Sequence, residues 1–155
     1  MSSYKQGKIN KLTETQKAYI AGMIDADGSV GIDRRTSESD KYPYNFAVRV
    51  LVVNTDYDLI LWLKKVIGAG CAYKTEYRYK PNWNTVHRYQ LTNEKGVELL
   101  NQIIPYMIVK RERAELVASL PTRKTMCSKK GRSVENYALQ NALYEQVSIL
   151  NKRGI

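Results

Sequence analysis

Asp25 and Asp27 stand one residue apart, directly before Gly28. Thr13-Glu14-Thr15-Gln16 reads as a helix start, with Thr13 as cap and Gln16 at the third helical position, and Ala18, Ile20, Ala21, Met23 and Ile24 follow with apolar spacing. Gly28 ends that helix, so both carboxylates fall in its last turn. The helix dipole already presents partial negative charge there, and each carboxylate costs up to about 1 kcal/mol. A divalent cation reverses the penalty: Asp27 supplies a hard anionic oxygen, and carbonyls at the helix end supply neutral ones. A plainer reading makes Asp27-Gly28 a common turn pair. A calcium EF-hand loop fails on register, because Gly28 as the loop glycine makes Met23 the first ligand and Arg34 the bidentate position.

Ala18, Gly22 and Ala26 follow one another at intervals of four, with Ala21 beside them, so one stripe of the helix carries almost no side chain. Backbones can approach closely along it, whether the neighbour is another part of this chain or a second copy. Two such helices packed side by side would bring two copies of Asp27 together.

The elements that must hold this helix end can be read further along. Ser29 to Arg35 and Phe46 to Val53 form two strands of a long hairpin, the second rich in β-branched residues and free of Pro and Gly. Asn54-Thr55-Asp56 is a turn and cap cluster, after which Leu59, Ile60, Leu63, Val66 and Ile67 recur at helical spacing up to Gly68-Ala69-Gly70. Cys71 to Tyr79 and Val86 to Leu91 alternate as a second hairpin across Pro81-Asn82-Trp83-Asn84. Helical periodicity returns through Val97 to Ile104, restarts from Pro105 to Leu120 and appears again from Val134 to Leu150, with a basic loop over 123–132. This order predicts an α+β domain with one antiparallel sheet, one face on the helices and the other open to a ligand.

The chain of 155 residues fits a single domain, residues 1–155, able to bury roughly two-thirds of its unfolded surface. Lys and Arg number 25 against 15 Asp and Glu, a net charge of +10 that suits a polyanion such as nucleic acid. Twelve Tyr against one Phe and two Trp point to a large, wet contact face. Cys71, Cys127 and the single His87 make no zinc quartet. No run approaches the ~18 apolar residues of a membrane span, and the start lacks a signal-peptide core. The expectation is a soluble intracellular protein, in a bacterial or phage-host cytoplasm or an organelle, with no membrane partner.

Ile20-Ala21-Gly22-Met23-Ile24-Asp25-Ala26-Asp27-Gly28 resembles the LAGLIDADG signature of homing endonucleases, departing from it by Ile20 and Met23 in place of Leu. The element order over about residues 13–120 is similar to that family's αββαββα core with its saddle-shaped sheet that meets DNA; the basic loop and helix of 121–155 follow it. A single copy of the motif implies a homodimer cutting a pseudo-palindromic double-stranded DNA site. The resemblance implies that Asp27 and the Ala26 carbonyl bind Mg²⁺, with Ca²⁺ or Mn²⁺ as substitutes, for phosphodiester hydrolysis. It places Ala18, Ala21, Gly22 and Asp25 at the dimer contact, Asp25 in a structural role. Pro105-Tyr106-Met107-Ile108-Val109-Lys110 is similar to the segment that carries the family's basic residue, which makes Lys110 catalytic through the charge developing on phosphate.

For base reading the open face implies Asp33, Arg35, Arg49, Arg88 and Gln90, with Arg bidentate to guanine and Gln to adenine. On the third strand either Tyr73, Thr75 and Tyr77 or Lys74, Glu76 and Arg78 face DNA, since a one-residue slip exchanges the faces; family spacing favours the Tyr set. Lys124, Lys129, Lys130 and Arg132 would contact phosphates. One departure stands out. Where the family often has a polar residue that positions water, Leu51-Val52-Val53 is apolar as far as Asn54. That leaves an alternative, an intron RNA maturase or a non-cutting DNA-binding protein on the same fold.

Overall fold

The structure, a computed structural model, describes residues 8–75, 82–122 and 132–153. Helix α1 (Glu14–Asp27) opens on the expected capping box: the Thr13 hydroxyl accepts from Gln16 N, and the Gln16 side chain accepts from Thr13 N. Strands β1 (Ser29–Thr36) and β2 (Tyr44–Asn54) form the first hairpin. Helix α2 (Tyr57–Ile67) starts on Asp56, whose carboxylate accepts from Leu59 N, and ends at Gly68 with a left-handed φ of 79°. Strands β3 (Cys71–Thr75) and β4 (Val86–Thr92) come next, then α3 (Asn93–Ile103), a 3₁₀ turn (Ile104–Tyr106), α4 (Arg111–Ala118) and α5 (Val134–Arg153).

All four strands join one antiparallel sheet in the order β1-β2-β4-β3. Alternation along the strands assigns its faces. Val30 and Ile32, Phe46, Val48, Val50 and Val52, and Tyr89 and Leu91 are buried in one core with Ile20, Ile24, Ile60, Leu63, Leu99, Leu100 and Ile103 from the helices. Helix α3 lies so close to the sheet that a Cβ on Gly96 would sit 3.0 Å from Val48 Cγ1. The α+β architecture expected from the periodicities is therefore present, with helices on one face. The opposite face, carried by Gly31, Asp33, Arg35, Arg49, Arg88, Gln90, Tyr73 and Thr75, has no helix over it among the described residues.

One expectation changes. The periodicity from Pro105 to Leu120 is not a single helix, because residues 107–110 form a loop between the 3₁₀ turn and α4. A helix there would direct the N–H groups of Ile108, Val109 and Lys110 up its own axis. They instead go to a side chain of α1.

Candidate functional site

That side chain is Asp25. Its Oδ2 accepts from Ile108 N at 2.6 Å and Val109 N at 3.2 Å, and its Oδ1 accepts from Lys110 N at 3.0 Å. Burial pushes the carboxyl pKa up, but the three N–H bonds and the Lys110 charge outweigh it and hold the group below the usual carboxylate range. An acid in the last turn of α1 is thus satisfied by a loop from elsewhere in the chain. The same loop aims Lys110 back at the helix end, where its Nζ donates to Ile24 O at 2.8 Å and Gly28 O at 2.7 Å. Burial lowers the Lys110 pKa and Arg113 adds to that, while Asp25 and Asp27 pull it upward; the net shift is downward.

Gly28 is required for this geometry by contact rather than by φ, which is an ordinary −83°. A Cβ on it would lie 2.6 Å from Ile24 Cα and 3.0 Å from Ile24 O. Strand β1 begins two residues on, at Ser29, which lies on the open side opposite Leu51, and Asp27 is exposed. Ala26 is also exposed, and its carbonyl is among the terminal four that have no acceptor role within the helix.

Among the described residues no three His, Cys, Asp or Glu side chains converge on one point. One chain offers Asp27 and helix-end carbonyls. That donor set fits a hard cation such as Mg²⁺, which binds through one or two carboxylates and completes its shell with waters and substrate phosphates.

The open face is organised by side-chain pairs. Arg49 Nε donates to Asp33 Oδ1 at 2.9 Å, Arg88 Nε to Thr75 Oγ1 at 3.1 Å, and Tyr73 Oη to Gln90 Oε1 at 3.0 Å. Register puts Tyr73 opposite Arg88 and Cys71 opposite Gln90, so it is Tyr73 and Thr75, not Lys74, that share a face with Arg88 and Gln90. Tyr77, Lys124, Lys129 and Lys130 lie outside the described residues. Arg35 is exposed on the same face, opposite Asn45.

By sequence the chain matches no protein-family model and no curated protein. Solved structures do match. The homing endonuclease I-CvuI, in complex with the I-CreI target in the presence of Mg, is 22% identical, with 88% of this chain on 82% of that one and a TM-score of 0.72. The archaeal intron-encoded homing endonuclease I-Vdi141I complexed with DNA is 17% identical, with 87% on 83% and a TM-score of 0.69. This is the LAGLIDADG homing endonuclease fold. The I-LtrWI LAGLIDADG homing endonuclease bound to target DNA is 18% identical with a TM-score of 0.62; 88% of this chain covers only 45% of it, so one LAGLIDADG unit of this size spans just under half of that protein.

In the LAGLIDADG fold the signature residues divide by the face of α1 they occupy. Ala18, Gly22 and Ala26 are exposed, and a Cβ on Gly22 would meet nothing within 4 Å. Ala21 is corrected: its exposure is 0% and it packs in the chain's own core, one residue round the helix from the small-residue stripe. Asp25, half-buried, has its carboxylate taken up by Ile108, Val109 and Lys110 of the same chain, which gives it a structural place within one chain. Arg132 is partly engaged within the chain. Its guanidinium donates to Tyr44 O at 2.8 Å and Asn45 Oδ1 at 3.0 Å, pinning the approach to α5 onto the start of β2.

Two further residues bear on the site. Leu51 lies on the open side opposite Ser29 and Gln90, 8% exposed and outside the main core. Asn54, the first polar residue after the apolar run Leu51-Val52-Val53, has its Oδ1 taken by Asp56 N at 2.8 Å in the turn before α2. The Asp25 cap and the side-chain pairs on the sheet escaped sequence reasoning. Only the acid placed against the helix dipole signalled the first.

Proposed function

We propose that this chain, one domain over residues 1–155, is a site-specific DNA endonuclease that acts as a homodimer on a pseudo-palindromic duplex and depends on divalent cations, foremost Mg²⁺. One observation carries the reading: the exposed Asp27 carboxylate and the Lys110 ammonium share one helix end, directly before the strand that opens a face lined by Arg, Gln and Tyr. Asp27 and the Ala26 carbonyl hold the cation, which when bound activates water and stabilises the attacking and leaving oxygens. Lys110, aimed by the Asp25-capped loop, neutralises charge developing on the phosphate. The open face and the net charge of +10 take up the duplex. The DNA complexes of I-CvuI, I-Vdi141I and I-LtrWI, and the Mg and Ca of the I-CvuI complexes, support the same assignment.

The test is incubation with a library of duplex sites and Mg²⁺. Wild type is expected to make double-strand cuts at one site class. Asp27→Asn is expected to retain the duplex on a filter but leave it whole, and undiminished cutting by that variant would overturn the assignment of Asp27.

A second reading, a nucleic-acid binder on this fold that does not cut, is favoured by Leu51 on the open side and by the engaged side chain of Asn54. Retention of duplex or intron RNA with no cutting in any divalent cation would decide for it.

A further inference from the structure

Among the polar side chains of the open face, two classes can be separated by which atoms are already used. Arg49 and Asp33 are both about one-third exposed or less, and the bond between them consumes the Nε of the guanidinium. Arg49 lies opposite Gly31, whose lack of a side chain leaves the guanidinium room; its Nη2 is 4.0 Å from where a Cβ would be. Arg88 is held in the same way, by Nε to the Thr75 hydroxyl one strand away. Each guanidinium therefore keeps its end-on pair of Nη donors, while the group that orients it is already engaged with it through Oδ1 or Oγ1. An oriented pair of parallel donors matches the O6 and N7 acceptors of guanine in the major groove.

We infer that Asp33 and Thr75 are positioning residues rather than base readers, and that they aim Arg49 and Arg88 at two separate guanines in each half-site. Gln90 follows the same logic. With one lone pair of Oε1 already taken by Tyr73, the N–H donors are the unencumbered groups of its amide, which favours an acceptor edge over the donor-plus-acceptor edge of adenine. This changes the simple expectation that Gln90 pairs with adenine. The inference rests on the proposed DNA-binding function and concerns which base each residue selects.

The experiment is selection from a randomised duplex library by the full-length protein in EDTA, so that nothing is cut, followed by sequencing of the retained pool. Wild type is expected to prefer guanine at two positions per half-site by roughly 5- to 150-fold. Arg49→Ala should erase one preference and Arg88→Ala the other. Asp33→Ala should relax the Arg49 position alone and Asp33→Asn, which keeps an acceptor, should restore it; Thr75→Val and Thr75→Ser should do the same for Arg88. Tyr73→Phe should shift the Gln90 position toward adenine. Uniform weakening by the arginine variants with unchanged base preferences would overturn the inference, because it is the behaviour of phosphate contacts. So would relaxation by Asp33→Ala at a position other than that of Arg49. Failure of folded wild type to retain any duplex would instead overturn the proposed function itself.

Discussion

Asp25 and Asp27 are separated by one residue and by one face of α1, and that difference separates an acid bonded within the chain from the exposed one proposed to bind the cation. Asp25 turns inward onto three N–H groups 83 to 85 residues away, and its pKa falls because the folded state prefers the charged form. A depressed folded pKa contributes stability that is present above the unfolded value, near 3.8, and is lost as pH falls through the lower folded value. Asp25→Ala is therefore expected to lower stability at pH 7 by roughly 1–3 kcal/mol, and the gap to wild type should narrow below about pH 4; denaturant melts at pH 7 and pH 3 check both. Lys110→Met should leave the fold closer to wild type while cutting falls by roughly 10²- to 10³-fold, measured as single-turnover rates. Asp27 was legible from its place in the sequence, whereas Lys110 was legible only through resemblance. Nothing local in Met107-Ile108-Val109-Lys110 announces a bond to Gly28, the residue that ends α1, 82 positions earlier.

Local chemistry settles most elements and fails where a distant group takes over. The capping box at Thr13, the Asp56 cap and the left-handed Gly68 all follow from residues within one turn, so α1 and α2 were readable to their ends. The apolar period-2 runs likewise fixed which side of β1, β2 and β4 is buried. The stretch after Pro105 kept helical periodicity, but residues 107–110 left the helix because their N–H groups found the Asp25 carboxylate. Strand pairing set which face Tyr73 takes, and pairing is invisible in an alternating Tyr/Lys pattern. At the α1–β1 junction the argument is steric. Gly28→Ala places a methyl 2.6 Å from backbone Ile24 Cα, which cannot move without unwinding the turn that bears Asp27. A loss of roughly 1–3 kcal/mol in stability is expected, with cutting reduced further than stability explains, as read by thermal melts and cleavage rates on the same preparation.

The surface of the whole molecule carries a feature that one chain does not use. Ala18, Gly22 and Ala26 are exposed along α1, and beside its end Ile108 and Val109 are 86% and 77% exposed, held there by the Asp25 bonds. Exposed apolar surface continuous with a stripe that permits close backbone approach marks an interface. In the proposed homodimer a second copy placed on it would bring a second Asp27 to the site, and I-LtrWI, more than twice as long as the matched unit, shows that this fold occurs within larger molecules. Position 22 separates folding from assembly. A Cβ there meets nothing within 4 Å in the single chain, and replacing glycine inside a helix gains up to about 1 kcal/mol. Gly22→Leu is therefore expected to leave the unfolding midpoint unchanged or higher, while forcing apart any helix packed on the stripe. Sedimentation should show a monomer where wild type is a dimer, and cleavage of the selected site should be lost although the chain is fully folded. If Gly22→Leu still sediments as a dimer and cuts as wild type does, the copies do not meet on this face of α1, and the two Asp27 carboxylates are not brought together by it.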